Sequence, residues 1–249
     1  MADKSNINNE SITISKESAK RLLSDVKDIM KNPLENEGIY YKHHDENMLK
    51  GYALIIGPKD SVYFGGNFLF ELDFPYDYPH KPPKVTYKTN DGLTRFHPNL
   101  YKNGKVCLSL LNTWKGEQWT GCQTISSILL TILSILDSRP LLHEPGITKE
   151  HRDFDNYNKI ISYKTIESAI LNIVSEKCSC CPLYLKELFK DNMLENYKKN
   201  KKEIYDLIKL KTTSEIDSKI LNIKTSLYMM NINIDWKKLK KDIKIIKTE

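Results

Sequence analysis

An α+β fold is the expectation for this 249-residue chain. Its apolar residues recur at helical spacing near the start, gather in aromatic-rich and alternating stretches in a central block, and return to helical spacing afterwards. Strands grouped in one block, rather than alternating with helices, favour an antiparallel sheet with helices set around it. Short connections of turn composition between those strands point to a meander.

Residues 1–14 read as a loose polar arm without the apolar core of a secretion signal. Ser15 is a good N-cap for a helix running to about Lys31. Its apolar positions are Ala19, Leu22, Leu23, Val26, Ile29 and Met30; Lys16, Lys20, Arg21 and Lys27 lie on the other side, and Asn32-Pro33 ends it. Four strands are expected next, at residues 39–43, 52–56, 67–74 and 84–88, bounded by Gly57-Pro58, Gly65-Gly66 and Pro75. Residues 89–123 have no regular pattern. A second helix starts near Thr124, capped by Gln123 or Thr124, and runs to about Ser138, where Arg139-Pro140 stops it. From about Asp155 the pattern is helical almost to the end. Ile166, Ile170, Ile173 and Val174 form one stripe, and Leu185, Leu188, Phe189, Met193 and Leu194 another. Trp236, Leu239, Ile243 and Ile246 form the last, behind Asp235 as N-cap. The expected organisation is an arm at 1–14, a main domain at 15–154 and a helical C-terminal extension at 155–249.

Composition narrows the class. Hydrophobic residues make up 40% and charged residues 28%, as in a globular chain rather than a disordered one. The net charge is +6, and residues 197–249 carry all of the excess. A solvated helical surface explains that better than a nucleic-acid or membrane site. The apolar run at residues 125–136 is too short to span a bilayer and reads as a buried helix. Five cysteines without framework spacing favour a reducing compartment, the cytoplasm and with it the nucleus. Cys178, Cys180 and Cys181 cluster, but no second Cys/His pair follows at zinc-site spacing, so no metal and no cofactor is expected.

The chemistry concentrates in His97-Pro98-Asn99 and the stretch that leads to Cys107. Asn103-Gly104 can fold the chain back between them. A thiol that faces a fixed amide donor suits acyl transfer: sulfur attacks a carbonyl and the amide stabilises the oxyanion that develops. Lys105 is the nearby positive charge that could favour the thiolate. The bland readings are a buried structural Cys107 and an Asn99 that only pins the loop.

Taken with Tyr78-Pro79-His80-Lys81-Pro82-Pro83, His97-Pro98-Asn99, Trp119 and the long helix after it, this stretch resembles the ubiquitin-conjugating enzyme family. The match covers about residues 15–146. Asn103-Gly104-Lys105-Val106-Cys107-Leu108-Ser109-Leu110, Thr113-Trp114, Ser126-Ser127, Glu144-Pro145-Gly146, the 178–181 cluster and the Ile234-Asp235-Trp236 helix resemble more closely the large Z-type branch with its helical C-terminal extension.

The resemblance implies that Cys107 accepts ubiquitin, or a ubiquitin-like protein, as a thioester from a ubiquitin-activating enzyme. For the Z-type branch that is the second, non-standard activating enzyme. Asn99 would serve the transfer to a lysine, and Glu144, where the family has an Asp-Pro, would position the amine, with Asp137 and Ser138 as runners-up. His97 is implied to fix the loop. The basic face bearing Lys16, Lys20 and Lys27 would dock the activating enzyme. His80 and the Gly121-Cys122 pair stand in the two loops that dock ubiquitin ligases, and both depart from the family's usual residues. Trp119 would pack beneath that loop. The alternatives are a conjugating enzyme for another modifier, a non-catalytic adaptor of the same fold, against which Cys107 argues, and a cysteine protease, for which no His has a supporting signature.

Overall fold

The computed structural model describes residues 14–175, 179–213 and 219–246. Nearly all of the expected arm, and Cys178 of the cysteine cluster, lie outside the described residues.

Helix α1 (Lys16–Lys31) begins where Ser15 accepts a hydrogen bond from the Ser18 backbone N–H at 3.1 Å. Its inward face holds Leu22, Val26 and Ile29, as the spacing predicts. Leu23 and Met30 are exposed instead, and the buried stripe is completed by Ser18 and Asp25. Asp25 is tolerated there because Tyr78 donates to it at 2.5 Å and Arg21 pairs with it at 3.0 Å.

Strands β1 (Ile39–His43), β2 (Lys50–Ile56), β3 (Asn67–Asp73) and β4 (Lys84–Tyr87) form one antiparallel sheet in chain order, the expected meander. Ala53 pairs with Phe70, and Phe70 with Tyr87. Alternation then divides the side chains. Ala53, Ile55, Phe68, Phe70 and Leu72 join the main core with α2 (Ile125–Ile135), while Tyr52, Leu54 and Leu69 face the other way. Helix α2 is capped by Thr124, and Ser127 returns the bond to the Thr124 backbone N–H, a reciprocal capping box. The helix ends at Ile135, three residues before the predicted stop, with Leu136 already outside helical geometry.

The second face of the sheet is not open to solvent. Helix α3 (Phe154–Lys164) continues as a wider, π-helical stretch (Thr165–Asn172), followed by α4 (Leu183–Leu188) and the long α5 (Lys190–Thr213). Ile173, Cys180, Leu185, Phe189 and Met193 cover Tyr52, Leu54 and Leu69. Polar ties reinforce this layer. Asn196 donates to Gly65 O at 2.9 Å and to Asn67 Oδ1 at 3.0 Å, and Asn67 donates to Ala169 O at 3.0 Å. Tyr184 donates to Glu71 at 2.7 Å, and Lys50 and Lys88 flank the same carboxylate at 2.6 and 2.8 Å. Burial pushes the Glu71 pKa up, but these three donors outweigh it and bring it down to about 2.

The described residues after 154 are helical in their main elements, with one departure from the helical expectation. Residues 221–234 form an antiparallel hairpin of β5 (Leu221–Lys224) and β6 (Asn231–Ile234). Leu221-Asn222-Ile223-Lys224 and Asn231-Ile232-Asn233-Ile234 alternate with period two, a strand signal in short runs between helices. Helix α6 (Trp236–Ile245) follows, capped by Asp235 as predicted, with Trp236, Leu239 and Ile243 buried. One hydrophobic cluster runs from Leu22 to Ile243, so the C-terminal elements share the core of the preceding residues. No helix among the described residues is long and apolar enough to cross a membrane.

Candidate active site

The segment before Asn99 is held at successive points by buried groups from distant parts of the chain. Lys164 pairs with Asp91 at 2.8 Å. Tyr157 donates to Arg95 O at 2.7 Å and Tyr63 to Phe96 O at 2.6 Å. His97 Nδ1 accepts the Asn99 backbone N–H at 3.0 Å. The Arg95 guanidinium donates to His97 O at 3.2 Å and Pro98 O at 2.5 Å, and stacks 3.3 Å from the Tyr101 ring. This loop is therefore rigid without being helix or strand.

The chain then reverses. Gly104 N–H donates to Tyr101 O and Tyr101 N–H to Lys105 O, both at 2.9 Å. Gly104 has φ +87°, so the turn is a three-residue loop with glycine at the left-handed position. A Cβ on Gly104 would also lie 2.9 Å from Tyr87 O. The reversal brings Asn99 against Cys107 and ties the two in both directions. Cys107 N–H donates to Asn99 O at 2.9 Å, and the Asn99 side-chain amide donates to Cys107 O at 2.5 Å. Beyond the cysteine, Thr113 Oγ1 accepts Leu108 N–H at 2.9 Å and donates to Val106 O at 3.0 Å. Cys107 is 1% exposed, so its thiol is shielded in this conformation.

His97 is fully buried. Burial drives its pKa well below 6.5, with His143 and Arg95 adding to the shift. A neutral ring that accepts at Nδ1 fixes the loop, in line with the role the motif suggested for it. Lys105, expected to favour the thiolate, has its ammonium 5.6 Å from the centroid of the Tyr101 ring. Arg95, which the spacing did not single out, is the cation built into the loop.

A pH dependence follows from His97. The unfolded chain takes up a proton on this ring near pH 6.5 and the folded chain does not. The unfolded state therefore binds more protons below that pH, and stability falls as pH falls, by up to ~1.4 kcal/mol per pH unit. Glu71 loses its contribution in a lower window, between 4.5 and about 2. His97→Asn keeps an acceptor near Nδ1 without a titrating ring. Thermal melts between pH 7 and 5 should show a shallower slope for it than for the parent chain.

Glu144 follows a short 3-10 turn (Pro140–His143) as its C-cap. The His143 ring lies edge-on to His97, 4.8 Å between centroids, which links this turn to the Asn99 loop. The Glu144 carboxylate is engaged by the Tyr228 hydroxyl at 2.5 Å, a partner from the C-terminal hairpin. Of the runners-up, Asp137 is occupied by His143 Nε2 at 2.9 Å and by Arg139 N–H at 2.7 Å, and Ser138 is exposed.

Lys16, Lys20 and Lys27 are exposed on α1, and their spacing places them on one face. His80, Gly121 and Cys122 are also exposed. Their two loops are joined by Trp119, whose Nε1 donates to Pro79 O at 2.6 Å and whose ring packs on Tyr78. Arg21 of α1 clamps the second loop, donating to Gly121 O at 2.5 Å and Gln123 O at 2.7 Å. Cys180 donates to Ser168 O at 3.2 Å and packs in the second core. Among the described residues no group of three or more His, Cys, Asp or Glu is arranged to hold a metal ion.

The sequence profile described as "Ubiquitin-conjugating enzyme" matches residues 21–170. The chain is 41% identical over 180 residues to ubiquitin-conjugating enzyme E2 Z of Homo sapiens, which covers 71% of this chain and 50% of that protein. It is 34% identical over 169 residues to the probable ubiquitin-conjugating enzyme E2 R521 of Acanthamoeba polyphaga mimivirus, covering 63% of this chain and 12% of that protein. A solved structure of human ubiquitin-conjugating enzyme E2 G1 aligns with 34% identity and a TM-score of 0.43, over 49% of this chain and 97% of that one. The chain spans about half the length of the E2 Z relatives it matches. A profile match across more than half of the sequence, laid over the tied Asn99 and Cys107, means that the chain belongs to the ubiquitin-conjugating enzyme family.

Proposed function

We propose that this chain is a thioester-forming acyltransferase: Cys107 takes ubiquitin from an activating enzyme and passes it to a substrate lysine or to a ligase cysteine. The observation that supports this reading is the double tie between Asn99 and Cys107, which holds the Asn99 amide at the backbone of the cysteine.

In the first step Cys107 Sγ, as thiolate, attacks the glycyl carbonyl of the activating enzyme's thioester. A carbon–sulfur bond forms, the donor's carbon–sulfur bond breaks, and the activating enzyme leaves as thiolate. Two thioesters are nearly equal in energy, so no ATP is needed at this step. In the second step a neutral lysine amine attacks the same carbonyl and a carbon–nitrogen bond forms; the nitrogen releases its extra proton to solvent, the oxyanion collapses, the carbon–sulfur bond breaks, and Cys107 leaves as thiolate. Lysine is protonated at neutral pH, with a reference pKa of about 10.4. In this reading Glu144 holds and desolvates that amine.

Residues 15–154 carry the chemistry, and residues 155–249 are an extension that folds with them. Lys16, Lys20 and Lys27 form the face for the activating enzyme, and His80, Gly121 and Cys122 the edge for a ligase. The likeness to the E2 Z proteins favours the second, non-standard activating enzyme. A carrier that works through a reduced thiol fits the cytoplasm.

The test is charging by the two ubiquitin-activating enzymes side by side, with ATP and ubiquitin. The expected product is an adduct lost on adding reductant and absent in Cys107→Ala. No adduct with either enzyme, or an adduct that persists in Cys107→Ala, would remove the ubiquitin reading. Charging only by a different ubiquitin-like protein would establish the runner-up.

A further inference from the structure

The turn between β5 and β6 reaches back to the catalytic face. Lys102 Nζ donates to Tyr228 O at 3.0 Å, Asp153 accepts Leu227 N–H at 2.9 Å, and Arg152 donates to Ser226 Oγ at 2.6 Å. The Tyr228 ring packs at 5.9 Å on Tyr157 and lies 4.7 Å from the Arg95 guanidinium, on the cation that also stacks on Tyr101. Tyr228 and Met229 have φ of +61° and +47°, a left-handed conformation that non-glycine residues rarely hold unless their surroundings enforce it. All this placement ends in one contact, the Tyr228 hydroxyl donating to Glu144 Oε2 at 2.5 Å.

We propose that Tyr228 is a positioning residue for the transfer step: its hydroxyl fixes the Glu144 carboxylate toward the incoming amine, which makes the hairpin of the extension part of the active site. The inference rests on the reading of Glu144 as the group that meets the lysine. A carboxylate at the end of a flexible side chain, following a short 3-10 turn, samples several rotamers. A short bond to one oxygen selects among them and leaves the second oxygen for the substrate. The hydroxyl stays protonated across the working range, since burial, and then the carboxylate beside it, raise its pKa. The ring's packing explains the aromatic side chain; it does not explain the hydroxyl, which goes to Glu144.

The test is single-turnover discharge of the Cys107 thioester of the full chain to free lysine. Tyr228→Phe keeps the ring and removes one oxygen. It should charge at the parent rate and discharge about tenfold more slowly. The Tyr228→Phe, Glu144→Ala double variant should be no slower than Glu144→Ala alone. The loss should appear in discharge to lysine and not in charging, a step that uses no amine. Lys102→Met, which frees the turn and spares the hydroxyl, should give a smaller loss that is also absent in the Glu144→Ala background. Parent or faster discharge in Tyr228→Phe, or losses that multiply with Glu144→Ala, would overturn the inference. If Glu144→Ala itself discharges at the parent rate, the reading of Glu144 fails first and Tyr228 falls with it. Slow Glu144→Ala beside normal Tyr228→Phe removes Tyr228 alone.

Discussion

Asn99→Ala is expected to charge on Cys107 at close to the parent rate and to discharge to lysine about 10²–10³-fold more slowly. A primary amide has two N–H donors. In the uncharged chain one is committed to Cys107 O at 2.5 Å, which holds the group within a few bonds of the reacting sulfur. The other is the donor proposed to meet an oxyanion forming on the carbonyl bonded to that sulfur. Truncation removes both. The loop loses a donor to a buried carbonyl, at about 1–3 kcal/mol, and the tetrahedral intermediate loses its stabilising dipole. The two losses have different signatures. A loosened loop displaces Cys107 in every reaction, so it would slow charging and discharge alike and lower the melting temperature. A missing oxyanion donor penalises the more demanding attack by an amine. Asn99→Asp is expected to be at least as slow in discharge, because its carboxylate faces both the Cys107 carbonyl and the developing negative charge. Measuring both steps in one preparation separates the roles. Equal slowing of charging and discharge would leave Asn99 as a loop pin.

How far these features were legible in the sequence depended on how local their causes are. Ser15 and Thr124 cap their helices through contacts three residues away, and both caps can be read from residue type and position. The meander is equally local, since turn residues separate each strand from its neighbour. Asn99 and Cys107 are eight residues apart with a turn between them, so their meeting could be anticipated. The groups that make the site rigid could not. Tyr157 reaches Arg95 across 62 residues, Arg21 reaches Gln123 across 102, and Tyr228 reaches Glu144 across 84. No periodicity encodes such pairs. The cover over the second face of the sheet did leave a signal. In Ala53-Leu54-Ile55 and Phe68-Leu69-Phe70 both alternating faces are apolar, which an antiparallel sheet shows only when both sides are buried. The hairpin leaves a weaker signal because its two four-residue runs are short and lie between long helical stripes.

Phe189→Ala is expected to destabilise the whole chain by about 3–5 kcal/mol and to lower the melting temperature by roughly 10 °C. Phe189 is fully buried where α4 meets α5, in the cluster that covers Tyr52, Leu54 and Leu69. Lys42 of β1 lies over its ring at 5.5 Å and donates to the neighbouring Leu188 O at 2.7 Å. Truncation opens a cavity between the sheet and the extension, and the surrounding helices can close it only by moving against groups pinned elsewhere. Asn196 and Asn67 hold α5 to β3, and Tyr184 holds α4 to Glu71. With these ties intact the layer cannot lift off by itself, and the loss falls on global stability. A separate, appended domain would behave differently. The variant would then melt in two steps, with the strands and Cys107 charging surviving the first. One cooperative transition at lower temperature, with charging lost in the same step, is the outcome for an extension that shares the core. That result also bears on Tyr228, because a hairpin can present a hydroxyl to Glu144 with fixed geometry only if the helices that carry it are part of the same folding unit.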